Sequence, residues 1–409
     1  MRGYRRGGRL CAVTCGAAPL ALAAALLCHP GKVHAFAWMI RHEYTGCAVC
    51  HADPSGSGLL TEYGRAQAQL LIETRYSHGK VEEAGPTSHF AFGALDRVFT
   101  LPSWLLLGGS YRGAELIVQA NGGPKNVSYI QMEADLYAQV TVGHFRANGS
   151  IGYVPQGARA AAITNTENDN IVSREHWVGW DFGSRSFLLR AGRMNLPFGL
   201  RNVEHTTWIR NETRTDINSQ QQHGVALAYS GERLRAELMG ILGNFQTHPG
   251  QYRELGYSGY AELAIATRAA VGLSSLITHA RKDVILDPLD NLRQAHGVFA
   301  RYSPWSPLVL LAEADLLVQS PSDGSSSVGY VGFLQLDFQI IQGLHLMPMF
   351  ELRDTGRTPQ GIALGGWLTA DWFFAPHSEL RFDFFNRRLP GNGTLQHSLG
   401  GLIMLHIFL

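Results

Sequence analysis

From about residue 88 to the C-terminus, apolar and polar residues alternate with a period of two, the period of a strand with one face buried. The clearest run is 128–142. Ile130, Met132, Ala134, Leu136, Ala138 and Val140 share one face, and Gln131, Glu133, Asp135, Tyr137, Gln139 and Thr141 share the other. Leu334, Leu336, Phe338 and Ile340 alternate with Gln335, Asp337 and Gln339. Leu344, Leu346, Phe350 and Leu352 alternate with His345, Glu351 and Arg353, and Leu380, Phe382 and Phe384 with Glu379, Arg381 and Asp383. Acids, bases and amides mix on the polar faces. In a sandwich those faces meet solvent; in a membrane barrel they line a lumen while the apolar faces meet lipid. About sixteen such segments occur, many near the ~10 residues that a tilted membrane strand requires.

Composition agrees without deciding. Charged residues make up 16%, against about 25% in typical soluble domains. There are 46 glycines, and no apolar run long enough for a spanning helix follows position 35. A large soluble sandwich has a similar composition, but strand length and mixed polar faces favour the barrel. The net charge of +1 gives no argument for a nucleic-acid partner. The expected fold is all-β: a transmembrane antiparallel β-barrel of about 16 strands over 86–409, in contact with outer-membrane lipid, preceded by a short, partly helical segment.

Turn-rich breaks separate the strands, including Asn121-Gly122-Gly123-Pro124 and Pro390-Gly391-Asn392-Gly393. The long polar stretches 161–173 and 203–222 read as extracellular loops. Trp177, Trp180, Trp367, Trp372 and Phe373 are candidates for interfacial girdles. Pro197-Phe198-Gly199 reads as a hairpin turn of a kind seen in several porin families. The alternating apolar end, 398–409, is suited to pairing with the first strand and closing the barrel. The sequence shows no internal repeat, P-loop, nucleophile elbow or zinc-hydrolase motif, hence no hydrolytic or transferase site. Asn126, Asn148, Asn211 and Asn392 match the glycosylation pattern by chance if the host is bacterial.

The first 35 residues read as an export signal. Arg2, Arg5, Arg6 and Arg9 precede an apolar stretch at 10–27, and Val33-His34-Ala35 offers a cleavage site ahead of Phe36. Cys11, Cys15 and Cys28 leave with it, so the mature chain keeps only Cys47 and Cys50. These lie in Gly46-Cys47-Ala48-Val49-Cys50-His51, the Cys-x-x-Cys-His pattern of c-type haem attachment. Two thiols form thioethers with the porphyrin vinyl groups, and the adjacent His donates a ring nitrogen to the iron. A thioredoxin-like pair lacks its βαβ context, a disulfide leaves His51 unexplained, and a zinc site lacks its second cysteine pair. One covalently attached haem c on Cys47, Cys50 and His51 is therefore expected, with His51 the proximal iron ligand. Met39 and His42 lie so close in sequence that packing or surface roles suit them better than the sixth position; His223, His345, Met347 and Met349 are unranked candidates from inside the barrel, and an open iron site is the alternative. The segment 36–85 is thin for a core of its own, so the haem is expected to lean on the barrel, plugging its mouth or lumen.

This combination resembles the fused monohaem cytochrome–porin family of Gram-negative outer membranes, whose best known members are iron oxidases. The likeness runs over 36–65: Phe36-Ala37, Arg41 ahead of Tyr44-Thr45-Gly46-Cys47, and Leu60-Thr61-Glu62-Tyr63-Gly64-Arg65, similar to the family's Leu-Asn-x-Phe-Gly-Arg element. This chain departs from the family pattern in setting Thr-Gly directly against Cys47, in inserting Asp53-Pro54-Ser55-Gly56-Ser57-Gly58, and in having Thr-Glu-Tyr for Asn-x-Phe. Over the barrel the likeness is architectural only. It implies electron transfer between an extracellular donor or acceptor, with ferrous iron as the metal ion, and a periplasmic c-type cytochrome or other carrier. The other expectation is a solute-conducting porin with the haem segment as plug or redox sensor, in which Glu133, Asp135, Asp337, Arg353 and Arg381 line the lumen. A haem peroxidase is disfavoured, since no distal acid–base pair can be identified.

Overall fold

The computed structural model describes residues 37–44, 46–74, 101–155, 170–200, 206–286, 289–356, 361–390 and 395–409. The export signal at 1–35, Phe36, the boundary near residue 85, most of the 161–173 loop and the turn after Pro390 lie outside the described residues. Seventeen strands form one antiparallel sheet: β1 (Leu105–Ala120), β2 (Lys125–Val142), β3 (Phe145–Val154), β4 (Asn170–Val172), β5 (His176–Phe182), β6 (Phe187–Met194), β7 (Gln222–Ser230), β8 (Leu234–Gly243), β9 (Leu255–Ala266), β10 (Ala269–Ala280), β11 (Asn291–Trp305), β12 (Leu308–Pro321), β13 (Ser327–Ile341), β14 (Leu344–Asp354), β15 (Ala363–Ala375), β16 (Ser378–Pro390) and β17 (Leu395–Phe408). Strands next to each other in sequence pair throughout except β4 and β5, and β1 pairs with β17 from Ser110↔Phe408 to Ala120↔Ser398, so the sheet closes on itself. The alternating C-terminal run closes the barrel, which removes the last free edge.

β4 and β5 both pair with β3, so they are two pieces of one wall position. The barrel thus has sixteen positions. The break at 173–175 is held by Ser150, whose Oγ accepts the amides of Arg174 and Glu175, both at 3.0 Å.

The two faces of the wall separate as the alternation requires. Leu136, Leu189, Leu238, Leu273, Val298, Phe350 and Phe384 point outward and are exposed, while the core lies in the lumen, where Trp38, Met39 and Ile40 pack with Phe299, Leu311 and Phe333. An apolar outer belt around a closed sheet is stable only against lipid. No helix among the described residues is long and apolar enough to cross a membrane; the crossing elements are the strands. The tight turns, such as 143–144, 267–268 and 342–343, sit at one end, which in outer-membrane barrels is the periplasmic one. Outward-facing Trp104, Phe145, Trp180, Phe182, Tyr302 and Trp305 ring that end, at the height where aromatic residues meet the membrane interface.

Three expectations change. Trp177, Trp367 and Phe373 are buried on the lumen side, and Trp372 is only partly exposed, so of the five girdle candidates Trp180 alone is an outward, exposed ring. An aromatic side chain fits lipid and core alike, and period alone does not separate them. Met132 also turns inward, against Ala114, Leu402 and Met404, because the pairing slips between Arg112 and Gly113 and the bulge reverses the facing of the β2 residues before Glu133, Ile130 opposite Ala114 included. Finally, Pro197-Phe198-Gly199 is no hairpin turn. Together with most of 203–222 it forms a connection that folds into the lumen, burying Phe198, Leu200, Trp208 and Ile209.

Leu273, 63% exposed near the middle of β10, tests the lipid-facing assignment. Leu273→Arg is expected to cost about 2–4 kcal/mol in reversible unfolding from lipid vesicles, and the same change at the half-buried, lumen-side end residue Thr141 far less. Equal costs would contradict the assignment.

Candidate cofactor site

Residues 47–51 wind into a single turn, in which the amides of Cys50 and His51 both donate to Cys47 O, at 3.2 and 3.0 Å. Both cysteines are buried and are not joined to each other. His51 is buried, and its Nδ1 has no hydrogen-bond partner among the described residues. Burial pushes its pKa down to about 4, against the opposing pull of Asp53, so the imidazole is neutral at neutral pH and keeps a lone pair to donate.

The turn is backed by the element that resembles the family motif. His51 pairs with Leu60 in an isolated bridge, and Thr61 N donates to Cys50 O at 2.9 Å. Thr61 caps the short helix Glu62–Gln67: its Oγ1 accepts Gly64 N at 3.1 Å, and its hydroxyl donates to Val49 O. Gly64 is required by packing, since a Cβ there would collide with the Cys50 carbonyl. Arg65 donates to Leu107 O in β1. Glycine and arginine at the end of the element therefore have separate tasks, one admitting the 47–51 turn and one docking it to the wall.

The segment lies inside the barrel, as its thin core requires. Arg190 of β6 is fully buried and holds both Asp53 of the segment and Glu237 of β8. Arg41 pairs with Asp337 of β13 at 2.8 Å. Ser57 Oγ donates to Glu175 Oε1 at 2.8 Å, and Asn195 Nδ2 donates to the same oxygen at 2.7 Å. Arg235 Nη1 lies 3.5 Å from Cys47 Sγ, beneath a wall cluster in which Glu262 joins Arg235 and Arg301. Gln342 donates to Leu70 O and Glu73 O, at 3.1 and 3.0 Å. The insertion 53–58, a departure from the family pattern, supplies two of these ties.

The lumen charges singled out in the sequence are all engaged. Glu133 pairs with Arg112 at 3.3 Å, Asp135 with Arg174, Arg353 with Glu212 at 2.5 Å and Arg381 with Asp383 at 2.9 Å. They bind wall, break and inward connection to one another. The sixth-ligand candidates now separate. His223 lies on the outward register of β7, its Nε2 3.2 Å from His176 Nε2 and its Nδ1 accepting Phe245 N at 3.1 Å. Met39 and His42 ride on the segment itself. His345 faces Trp38 of the segment, with ring centroids 4.7 Å apart, and its Nδ1 is held by Asp337 at 2.8 Å. Met347 and Met349 are buried on the same strand, and Met347 Sδ accepts from Gln335. Sequence reasoning missed Arg190, Arg235, Glu175 and Asn195, whose partners lie far along the chain and leave no local pattern.

The residues fit a covalent haem in their chemistry: two buried, unjoined thiols and a neutral imidazole with an open ring nitrogen, on one turn. The cleft beside His51, bounded by Ser57, Gly58, Tyr137, Glu175 and His406, has a volume of about 80 Å³.

No protein-family model matches the chain, and no curated protein matches it in sequence. Solved structures do match in fold. An anion-selective porin from Comamonas acidovorans aligns with a TM-score of 0.58 at 12% identity, over 75% of this chain and 99% of that one. OmpT of Vibrio cholerae, an outer membrane protein, aligns with a TM-score of 0.56 at 9% identity, over 76% and 99%. The outer membrane channel DcaP of Acinetobacter baumannii aligns at 0.54 and 14% identity, over 75% and 97%. The chain has the fold of an outer-membrane porin, and its apolar belt places it in that membrane.

Arg190→Met would leave Asp53 and Glu237 buried without their shared cation, a loss of about 3–5 kcal/mol. Limited trypsin digestion of the folded barrel is expected to release the 37–74 segment from this variant and to spare it in the parent. Equal protection in both would show that the pair does not anchor the segment.

Proposed function

We propose that this outer-membrane barrel carries one haem c on Cys47, Cys50 and His51 within its lumen, and that it transfers electrons between an extracellular partner and a periplasmic carrier such as a c-type cytochrome. The observation that carries the reading is the burial of an unjoined Cys-x-x-Cys-His turn inside a closed barrel, on a segment tied to several wall strands. When bound, the haem supplies a one-electron ferric–ferrous couple whose potential depends on axial ligand and burial. The chain's own residues orient His51, shield the turn from water, and set Arg235 against the first cysteine, where its positive charge favours the reduced form. Ferrous iron as the outside donor follows from the family resemblance alone.

The second reading is a solute-conducting porin with the segment as plug or redox sensor. It is favoured by the fold likeness to porins and channels. The two differ in what the filled lumen does: it either carries charge while solutes stay out, or opens to let them pass.

The deciding experiment expresses the chain with cytochrome c maturation factors and records a pyridine haemochrome spectrum of the outer-membrane fraction, then single-channel conductance of the purified protein in planar bilayers. The proposal expects one haem per chain, lost in Cys47→Ala/Cys50→Ala, rapid reduction by a reduced soluble cytochrome, and a closed conductance state. A steady ion current that is independent of haem would support the porin instead.

A further inference from the structure

We propose that the lumen wall holds a hard divalent cation between Asp315 and Glu313 of β12 and Ser274 of β10, apart from the haem turn and independent of whether haem is bound. Asp315 is buried, and neither of its carboxylate oxygens has a hydrogen-bond partner among the described residues. Ser274 Oγ is likewise buried and unpartnered. Both side chains converge on Gly297 of β11, where a Cβ would collide with Asp315 Oδ1 and stand 3.0 Å from Ser274 Oγ. Glycine keeps that space clear between them.

The Asp315 carboxyl also lies within hydrogen-bonding reach of Glu313. Glu313 Oε2 is already used, accepting Leu200 N at 2.8 Å and Arg210. Asp315 thus meets a second acid while neither of its own oxygens receives a donor among the described residues. Buried like charges in such contact need a proton or a cation between them. The neighbouring cation Arg210 is turned to Glu313 Oε2 and donates its Nη1 to Thr215 Oγ1 at 3.2 Å.

The donor set selects the ion. Carboxylate and hydroxyl oxygens, with no thiol or imidazole among them, suit calcium and its like rather than zinc or copper. Four protein oxygens leave positions for water, which a lumen supplies, and two carboxylates already partly neutralised by Arg210 give weak binding. An affinity of about 10⁻⁴–10⁻³ M, that of extracellular calcium modules, is appropriate. The ion would fasten β10 to β12 on the side where Gly199 and Leu200 of the inward connection rest against Glu313, fixing that connection in the lumen.

The test uses the full-length protein in detergent, with calcium titrated by calorimetry and terbium luminescence as a second probe. One saturable site per chain is expected in the parent. It is lost in Asp315→Asn and weakened in Ser274→Ala, a change that leaves every charge in place and so stays readable if the first variant folds poorly. Infrared difference spectra of the parent are expected to show no protonated-carboxyl band that disappears in Asp315→Asn. Absence of a saturable site, or such a band persisting at saturating calcium, would overturn the proposal and leave a shared proton between the two acids.

Discussion

The buried guanidinium of Arg190 is the constraint on which the arrangement turns. It faces two carboxylates, one from the wall and one from the segment inside it, and none of the three can be left alone at zero exposure. Buried ion pairs are weak sources of net stability, because desolvation offsets most of the attraction, yet removing one partner is costly. The consequence is specificity. The segment can enter the barrel in many ways as far as its apolar residues are concerned, but in few that bring Asp53 to Arg190, Arg41 to Asp337 and Ser57 to Glu175. Those ties fix where the Cys-x-x-Cys-His turn stands and how His51 is presented.

This explains why a porin-type wall carries so many buried charges. In an open pore, lumen side chains are solvated. Here inward faces of the wall meet the N-terminal segment and the connection between β6 and β7, and many of their charges are engaged in pairs. A lumen filled in this way suits a redox centre that needs shelter from water and a fixed environment, and it impedes solute flow through the same space.

The sequence was most informative where the physics is local. Period-two alternation revealed the strands, their number and the polar face, since each side chain's direction follows from its parity. The terminal strand announced closure, and Cys47, Cys50 and His51 stood out because the motif is contiguous. What escaped depended on distance. Arg190 and Asp53 are separated by 137 positions, and nothing near either residue signals the other. Trp177 and Trp367 were indistinguishable from lipid-facing aromatics until the barrel had an inside. Met132 was assigned to the wrong face because a bulge is set by the partner strand. The inward course of 195–200 and 206–221 was hidden because a long polar connection looks the same whether it lies above the barrel or within it.

The Cys-x-x-Cys-His segment resides inside the barrel rather than beside it. Pulsed electron-resonance distances between genetically encoded nitroxides at Tyr63 on the segment and at Leu273 on the outer wall test this directly, in protein reconstituted into lipid. A single narrow population shorter than the barrel diameter is predicted. A broad distribution reaching well beyond the wall, as a tethered domain in the periplasm would give, would contradict it.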